Sequence, residues 1–181
     1  MLGTKRRVFG NIVGHVKGVE DMSSLGVWTA GQFDPRLSWA DIEWIKKRWG
    51  GKLVLKGILD AEDAQLAVDS GADAIVVSNH GGRQLDGVAA SIDVLPEAVE
   101  AVAGRLEVYV DGGVRRGTDV LVALALGARA VLLGRAMLWG LAVGGEAGAR
   151  RVLELLRAEV ELGMTLLGTP TPADVTRAHV E

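Results

Sequence analysis

The chain has 181 residues, 49% of them apolar and 24% charged, with 20 basic against 23 acidic side chains for a net charge of −3. That length and composition fit one ordinary globular domain, and the charge argues against a nucleic-acid binder, which needs a basic excess on one face. Cysteine is absent, which removes disulfides, thiolate metal sites and cysteine nucleophiles.

The opening MLGTKRRVFG lacks the apolar run of a signal peptide, and Lys5-Arg6-Arg7 reads as a solvated tail. The uncharged stretches 120–128 and 136–145 reach only about half a membrane span. The expectation is a cytoplasmic protein, with contact peripheral to the inner membrane left open.

Residues 1–37 show no clean periodicity and read as an irregular lead-in rich in Gly, Ser and charge. From Ser38 the pattern is regular. Ser38-Trp-Ala-Asp41 has capping-box spacing, with Trp39, Ile42, Ile45 and Trp49 on one helical face and Gly50-Gly51 as a stop. LVLKGI over 53–58 reads as a buried strand, and Asp60 caps a helix over 61–70. AIVVS over 74–78 is a second strand. A helix over 96–103 leads to a third strand over 107–110. Thr118 opens a helix to Leu126, followed by a fourth strand over 130–133. A long amphipathic helix spans 146–166, and a last short one starts at Thr171. Four continuously apolar strands alternating with helices indicate a parallel sheet covered on its faces. SGADAIVVSN and LGARAVLLGR echo each other 56 residues apart, about two β/α units, which suits a (β/α) barrel. A full barrel has eight strands in about 250 residues, so the expectation is a half barrel over 38–181.

Chemistry in such folds gathers at the carboxyl ends of the strands. Here those ends are Lys56-Gly57, then Ser78-Asn79-His80-Gly81-Gly82-Arg83, then Asp111-Gly112-Gly113-Val114-Arg115, and Gly134-Arg135. Bare backbone beside guanidinium at the third and fourth ends suits a phosphate. The plainer reading makes Asp111 and Thr118 turn or cap residues and the arginines surface. Lys56 is either a cation fixed beside developing negative charge or a lysine reaching solvent. His80 has the pKa range of a general base, and Arg83 can grip a carboxylate at two points. Taken alone, His80 is equally a turn histidine. His15 and His179 carry no such context.

LVLKGILDAEDA, VSNHGGRQLDG, DGGVRRGTDVLVALALGA and LLGRAMLWGLA together resemble the FMN-dependent 2-hydroxy acid dehydrogenases and oxidases, with GVWTAGQFDPRLSWADIEWIKKRWGGKLVLKG leaning toward the L-lactate and mandelate dehydrogenase branch. The resemblance runs from about Gly26 to the C-terminus and implies the TIM (β/α)8 barrel, here strands 5–8, with residues 1–37 as the loop after strand 4. It implies FMN as cofactor and an L-2-hydroxy acid, lactate- or mandelate-like, as substrate. His80 would be the base and Arg83 the carboxylate clamp. Lys56 would stabilise the reduced flavin near N1 and O2, and Ser78 would lie against the flavin. Asp111, Gly112, Gly113, Val114 and Arg115 would bind ribityl and phosphate, with Gly134 and Arg135 completing the phosphate site.

The family's aspartate that orients the histidine, and its two substrate-facing tyrosines, have no counterpart here; the sole tyrosine, Tyr109, lies inside a strand. Without that aspartate the base is expected to be weaker by about two to three powers of ten. The alternative reading is therefore a truncated half barrel that binds FMN or phosphate with little activity alone. A phosphate-binding barrel of another class would not need His80 and Arg83 together. Two open sheet edges lead to an expectation of self-association. The electron acceptor, whether quinone, cytochrome or oxygen, is not specified by these residues.

Overall fold

The computed structural model describes residues 9–180, so the basic cluster at 5–7 lies outside the described residues. The chain forms two compact units, residues 1–38 and 39–181.

Among its described residues the first unit contains one helix, α1 (Met22–Ala30), inside the stretch that reads as loop. Its apolar residues follow no stripe, so periodicity does not reveal it. The cap does: the Ser24 N–H donates to Asp21 Oδ1 at 2.8 Å and the Asp21 N–H to Ser24 Oγ at 3.0 Å, a reciprocal pair that satisfies donors the helix leaves orphaned. The Ser24 N–H and, second, the Ser24 hydroxyl, both donating to Asp21 Oδ1, hold that carboxyl below its ordinary pKa.

The second unit begins with α2 (Trp39–Trp49) and continues β1 (Val54–Ile58), α3 (Ala61–Asp69), β2 (Ala74–Val77), α4 (Ser91–Val102), β3 (Glu107–Asp111), α5 (Gly117–Ala125), β4 (Ala130–Leu132) and α6 (Arg135–Leu167). Two 3₁₀ turns, Pro172–Asp174 and Arg177–His179, end the chain. The strands form one parallel sheet in the order β1-β2-β3-β4, four sequential units of a half barrel.

Register sorts the side chains by face. Leu55, Ile75 and Val108 are partners across the sheet, as are Val77, Val110 and Val131. They pack with Val94, Leu95, Ala98 and Val102 of α4 into the main core, where Ile75, Val77 and Leu95 are fully buried. Burying a side chain of that size stabilises by about 1.5–3 kcal/mol. The alternate residues, Lys56, Val76, Tyr109 and Ala130, share the opposite, inner face. Only β2 is buried at every position; Val54 on one edge strand and Leu132 on the other are exposed.

Two helices are longer than their sequence signals. Pro96 favours a helix start, yet α4 begins at Ser91 with Pro96 inside it; the buried face made by Val94, Leu95, Ala98 and Val102 outweighs the hydrogen bond that proline forfeits. The run α6 holds a helical segment from Arg135 that the sequence signals do not mark, ahead of the long one expected from 146. Gly144 and Gly145 leave helical φ/ψ within it, so the region around the glycine pair is a break between two helical segments.

At the amino ends of the strands, Asp73 ties three parts together. Its carboxylate accepts from Lys46 of α2, from Lys52 at 2.9 Å and from the Leu53 N–H at 2.7 Å. These partners, Lys46 foremost, hold the Asp73 carboxyl far below the usual carboxylate range. A carboxylate whose folded pKa is depressed stabilises above its unfolded pKa of about 3.9, and that stability is lost as pH falls toward the folded value. Thermal melts from pH 7 to pH 3 should therefore show Tm dropping below about pH 4, and Asp73→Asn should lower Tm at pH 7 while flattening that drop. An unchanged profile in the variant would remove Asp73 from this role.

Helices α5 and α6 meet where Gly117 faces Glu159. A Cβ on Gly117 would lie 2.5 Å from the Glu159 carbonyl carbon, and the Gly117 N–H donates to Glu159 Oε2 at 2.7 Å. Gly117→Ala should cost about 1–3 kcal/mol by overpacking, read as a lower urea midpoint at unchanged slope.

Candidate functional site

All four strand carboxyl ends converge. On β1, Gly57 is an extra residue: Lys56 pairs with Val76 and Ile58 with Val77, leaving Gly57 unmatched at φ 104°. This bulge keeps Ile58 in the core while Lys56 stays on the inner face. The Lys56 ammonium then donates to Ser78 Oγ at 2.8 Å and pairs with Asp111 Oδ2 at 3.0 Å, joining the ends of β1, β2 and β3.

Ser78 directly follows β2 and is buried. Its Oγ also accepts the His80 N–H at 3.1 Å. That bond supports an uncommon backbone, since His80 (φ 58°), Gly81 (φ 70°) and Gly82 (φ 68°) are left-handed in succession. A left-handed non-glycine residue costs about 1–2 kcal/mol, so the surrounding loop must over-determine it. It does: the Gly82 N–H donates to Asn79 O at 3.1 Å, the Asn79 N–H to Ser91 Oγ at 3.2 Å, and Asn79 Nδ2 to Ala89 O at 3.3 Å. The loop is thereby pinned to the first residue of α4. Among the described residues, no acidic side chain hydrogen-bonds the His80 imidazole.

On β3, Asp111 Oδ1 is buried without a partner while Oδ2 holds Lys56. A buried carboxylate oxygen left unpaired is costly and marks a place for a donor. Gly112 follows at φ 99°, where a Cβ would come within 3.3 Å of Ser91 Oγ. At Gly113 and Gly134 an added Cβ would meet nothing within 4 Å; both present open backbone. The Arg115 and Arg116 N–H groups donate to Asp119 Oδ2 at 2.8 and 2.9 Å, which fixes the turn into α5.

Arg135 is the first residue of α6, and its Nη2 donates to Gly81 O at 3.0 Å. The fourth strand end thus clasps the histidine loop. One turn on, Trp139 lies beneath Arg115, whose guanidinium carbon is 5.4 Å from the ring centroid.

Lys56, His80, Arg83, Asp111, Gly112, Gly113, Val114, Arg115, Gly134 and Arg135 line a single cleft, and Ser78 lies beneath it. Gly81, Leu132, Ala136, Leu138 and Trp139 complete the wall. Trp139 is the residue that reading the strand ends misses; its signal was the four-residue spacing from Arg135 in RAMLW, which puts both on one helical face. The cleft measures about 210 Å³, smaller than the roughly 300–1,000 Å³ of a complete small-molecule site. Four cations face one carboxylate in it, although the chain as a whole is acidic. That field favours an anion. Among the described residues no cluster of His, Asp and Glu could hold a metal ion, and no helix is long and apolar enough to cross a membrane.

Known proteins share this arrangement of sequence and fold. Glycolate oxidase 1 of Oryza sativa subsp. indica is 54% identical over 158 residues, which cover 87% of this chain and 43% of the oxidase. The L-lactate oxidase of Nostoc sp. (strain PCC 7120 / SAG 25.82 / UTEX 2576) is 56% identical over 153 residues, 84% of this chain and 42% of that protein. Among solved structures, (S)-mandelate dehydrogenase, described as a monotopic membrane protein, superposes with a TM-score of 0.85 at 38% identity, over 92% of this chain and 44% of its own. The chain spans less than half the length of each. The family model described as FMN-dependent dehydrogenase matches residues 4–181, and with a match over nearly the whole length the chain belongs to that family.

Proposed function

We propose that the cleft is the C-terminal half of a site that oxidises an L-2-hydroxy acid, lactate- or mandelate-like, to the 2-oxo acid. FMN is the family's cofactor, and the residues present fit it. Asp111 Oδ1 is a buried acceptor without a donor, suited to a ribityl hydroxyl. The open backbone at Gly113 and Gly134, in the cleft that Arg115 and Arg135 also line, suits a phosphate. When bound, FMN supplies a two-electron acceptor.

The observation that carries the reading is His80 and Arg83 in the same cleft as Lys56, Arg115 and Arg135. Arg83 binds the substrate carboxylate with its planar fork and so fixes which face of the hydroxyl-bearing carbon is presented. The His80 imidazole takes a proton from the substrate. Its left-handed backbone, held by Ser78 and the Asn79 turn, places His80 on the cleft wall. Lys56 provides a positive charge at the end of β1, where negative charge accumulates during oxidation. Ser78 and Asp111 hold that ammonium in place before any ligand arrives. On this reading residues 38–181 are the part of the barrel that carries these groups, and 1–37 are the lead-in corresponding to the loop after strand 4.

A second reading rests on the absence of an acidic partner at the His80 imidazole among the described residues: the 181-residue chain is a truncated half barrel that binds FMN or phosphate with little or no activity alone. The exposed edge strands β1 and β4 support self-association of the chain in solution, and a monomer in sedimentation would contradict that.

Titration of the purified chain with FMN, followed by dye reduction with (S)-lactate, (S)-mandelate and glycolate, separates the readings. Binding with turnover supports the oxidising site, binding without turnover supports the second reading, and no binding overturns both. His80→Gln should lower turnover by about 10²–10⁴-fold with flavin binding retained. Arg135→Ala should weaken FMN binding by about 10- to 100-fold, the worth of one charge-assisted hydrogen bond at roughly 1.5–3 kcal/mol.

A further inference from the structure

The two arginines of the cleft are held by different means. Arg135 is anchored through Nη2 on the Gly81 carbonyl at 3.0 Å. Arg115 has no such anchor: among the described residues its guanidinium makes no ion pair and no hydrogen bond to a carbonyl or carboxylate. Its guanidinium carbon instead lies over the Trp139 ring, 5.4 Å from the centroid. Arg135 and Trp139 stand one turn apart on α6, so that a single helical face presents one arginine directly and the second through its stacking platform.

The geometry matters because of what stacking leaves free. A guanidinium lying on an indole is held through its π face, while its five N–H donors point outward in the plane of the fork. A hydrogen-bonded anchor would consume some of those donors. A long arginine otherwise loses considerable rotamer freedom on binding an anion, and a stacked one has given up part of it already.

Resting on the reading that Arg115 and Arg135 grip the phosphate of FMN, we propose that Trp139 is a positioning residue for the phosphate site, holding Arg115 flat with its in-plane donors directed at the phosphoryl oxygens. Trp139 acts through Arg115 and does not itself contact the flavin ring.

The test compares FMN with riboflavin, which lacks the phosphate, by quenching of flavin fluorescence on titration with the 181-residue chain and its variants. Trp139→Leu should weaken FMN by about two- to fivefold, the worth of an exposed cation–π contact, and leave riboflavin unchanged. Trp139→Phe, which keeps an aromatic face, should recover part of the loss. Arg115→Lys keeps the charge but not the planar stack; it should weaken FMN similarly and be insensitive to further substitution of Trp139. Equal weakening of FMN and riboflavin by Trp139→Leu would assign the indole to the ring and overturn the proposal. Additive losses in the Arg115→Lys/Trp139→Leu double variant would also overturn it. Wild-type binding of FMN no tighter than riboflavin would instead overturn the phosphate reading, and the proposal with it. Thermal melts of each variant separate loss of fold from loss of binding.

Discussion

The Lys56–Asp111 ion pair, with Ser78 as the third member, depends on one extra residue in an edge strand. Were Gly57 an ordinary pleated residue rather than a bulge, Ile58 would fall on the inner face beside Lys56, breaking the alternation that puts Leu55 and Ile58 on the core face. With the bulge, the core contact and the inward lysine coexist. The three strand ends are then joined by hydrogen bonds of 2.8 and 3.0 Å, and the left-handed histidine loop starts from a serine already fixed from both sides. The arrangement is an electrostatic one as well. Asp111 offsets part of the cationic excess while keeping its buried Oδ1 free, so the cluster holds its lysine without neutralising the cleft.

Anchoring elsewhere follows the same logic of joining neighbours rather than adding depth. Arg135 reaches back from the start of α6 to the Gly81 carbonyl, and Asn79 reaches forward to Ala89 and to Ser91 at the start of α4. The loop after β2 therefore has supports on either side, which a polar strand end with three left-handed residues requires. At the opposite end of the sheet Asp73 plays a purely structural part, joining α2 to β1 and β2. The division between a stabilising face and a chemical face is characteristic of β/α barrels.

Much of this was legible from residue order. Each strand was marked by a short apolar run between turn residues, and each lies within two residues of its expected bounds because burial sets the run and glycine or charge ends it. The polar ends were equally plain: Lys56, His80, Asp111 and Arg135 break apolar runs at places where a parallel sheet delivers its side chains. Less legible were features that depend on partners distant in sequence. Helix α1 has no apolar stripe and shows itself only through the reciprocal Asp21–Ser24 cap. Helix α4 starts five residues before Pro96, since packing of Val94 and Leu95 overrides the local preference. The sequence of α6 before Gly144 looked like an uncharged stretch, and its helical start matters because it brings Trp139 to Arg115.

On the proposed reading, open backbone and fixed cations suit the cleft to a ligand with a flat body and an anionic end. At Gly113 and Gly134 an added Cβ would meet nothing within 4 Å, and Arg115 and Arg135 line the same cleft. A ligand lacking the anion would leave the cationic side chains of the cleft without a counter-charge. A ligand lacking the flat portion would leave Lys56 and the His80 loop open to water, where their charges count for less. The pre-set geometry of Lys56, Arg135 and the histidine loop means that neither end must be organised at the moment of binding, so the same contacts that stabilise the four strand ends also lower the cost of occupying them.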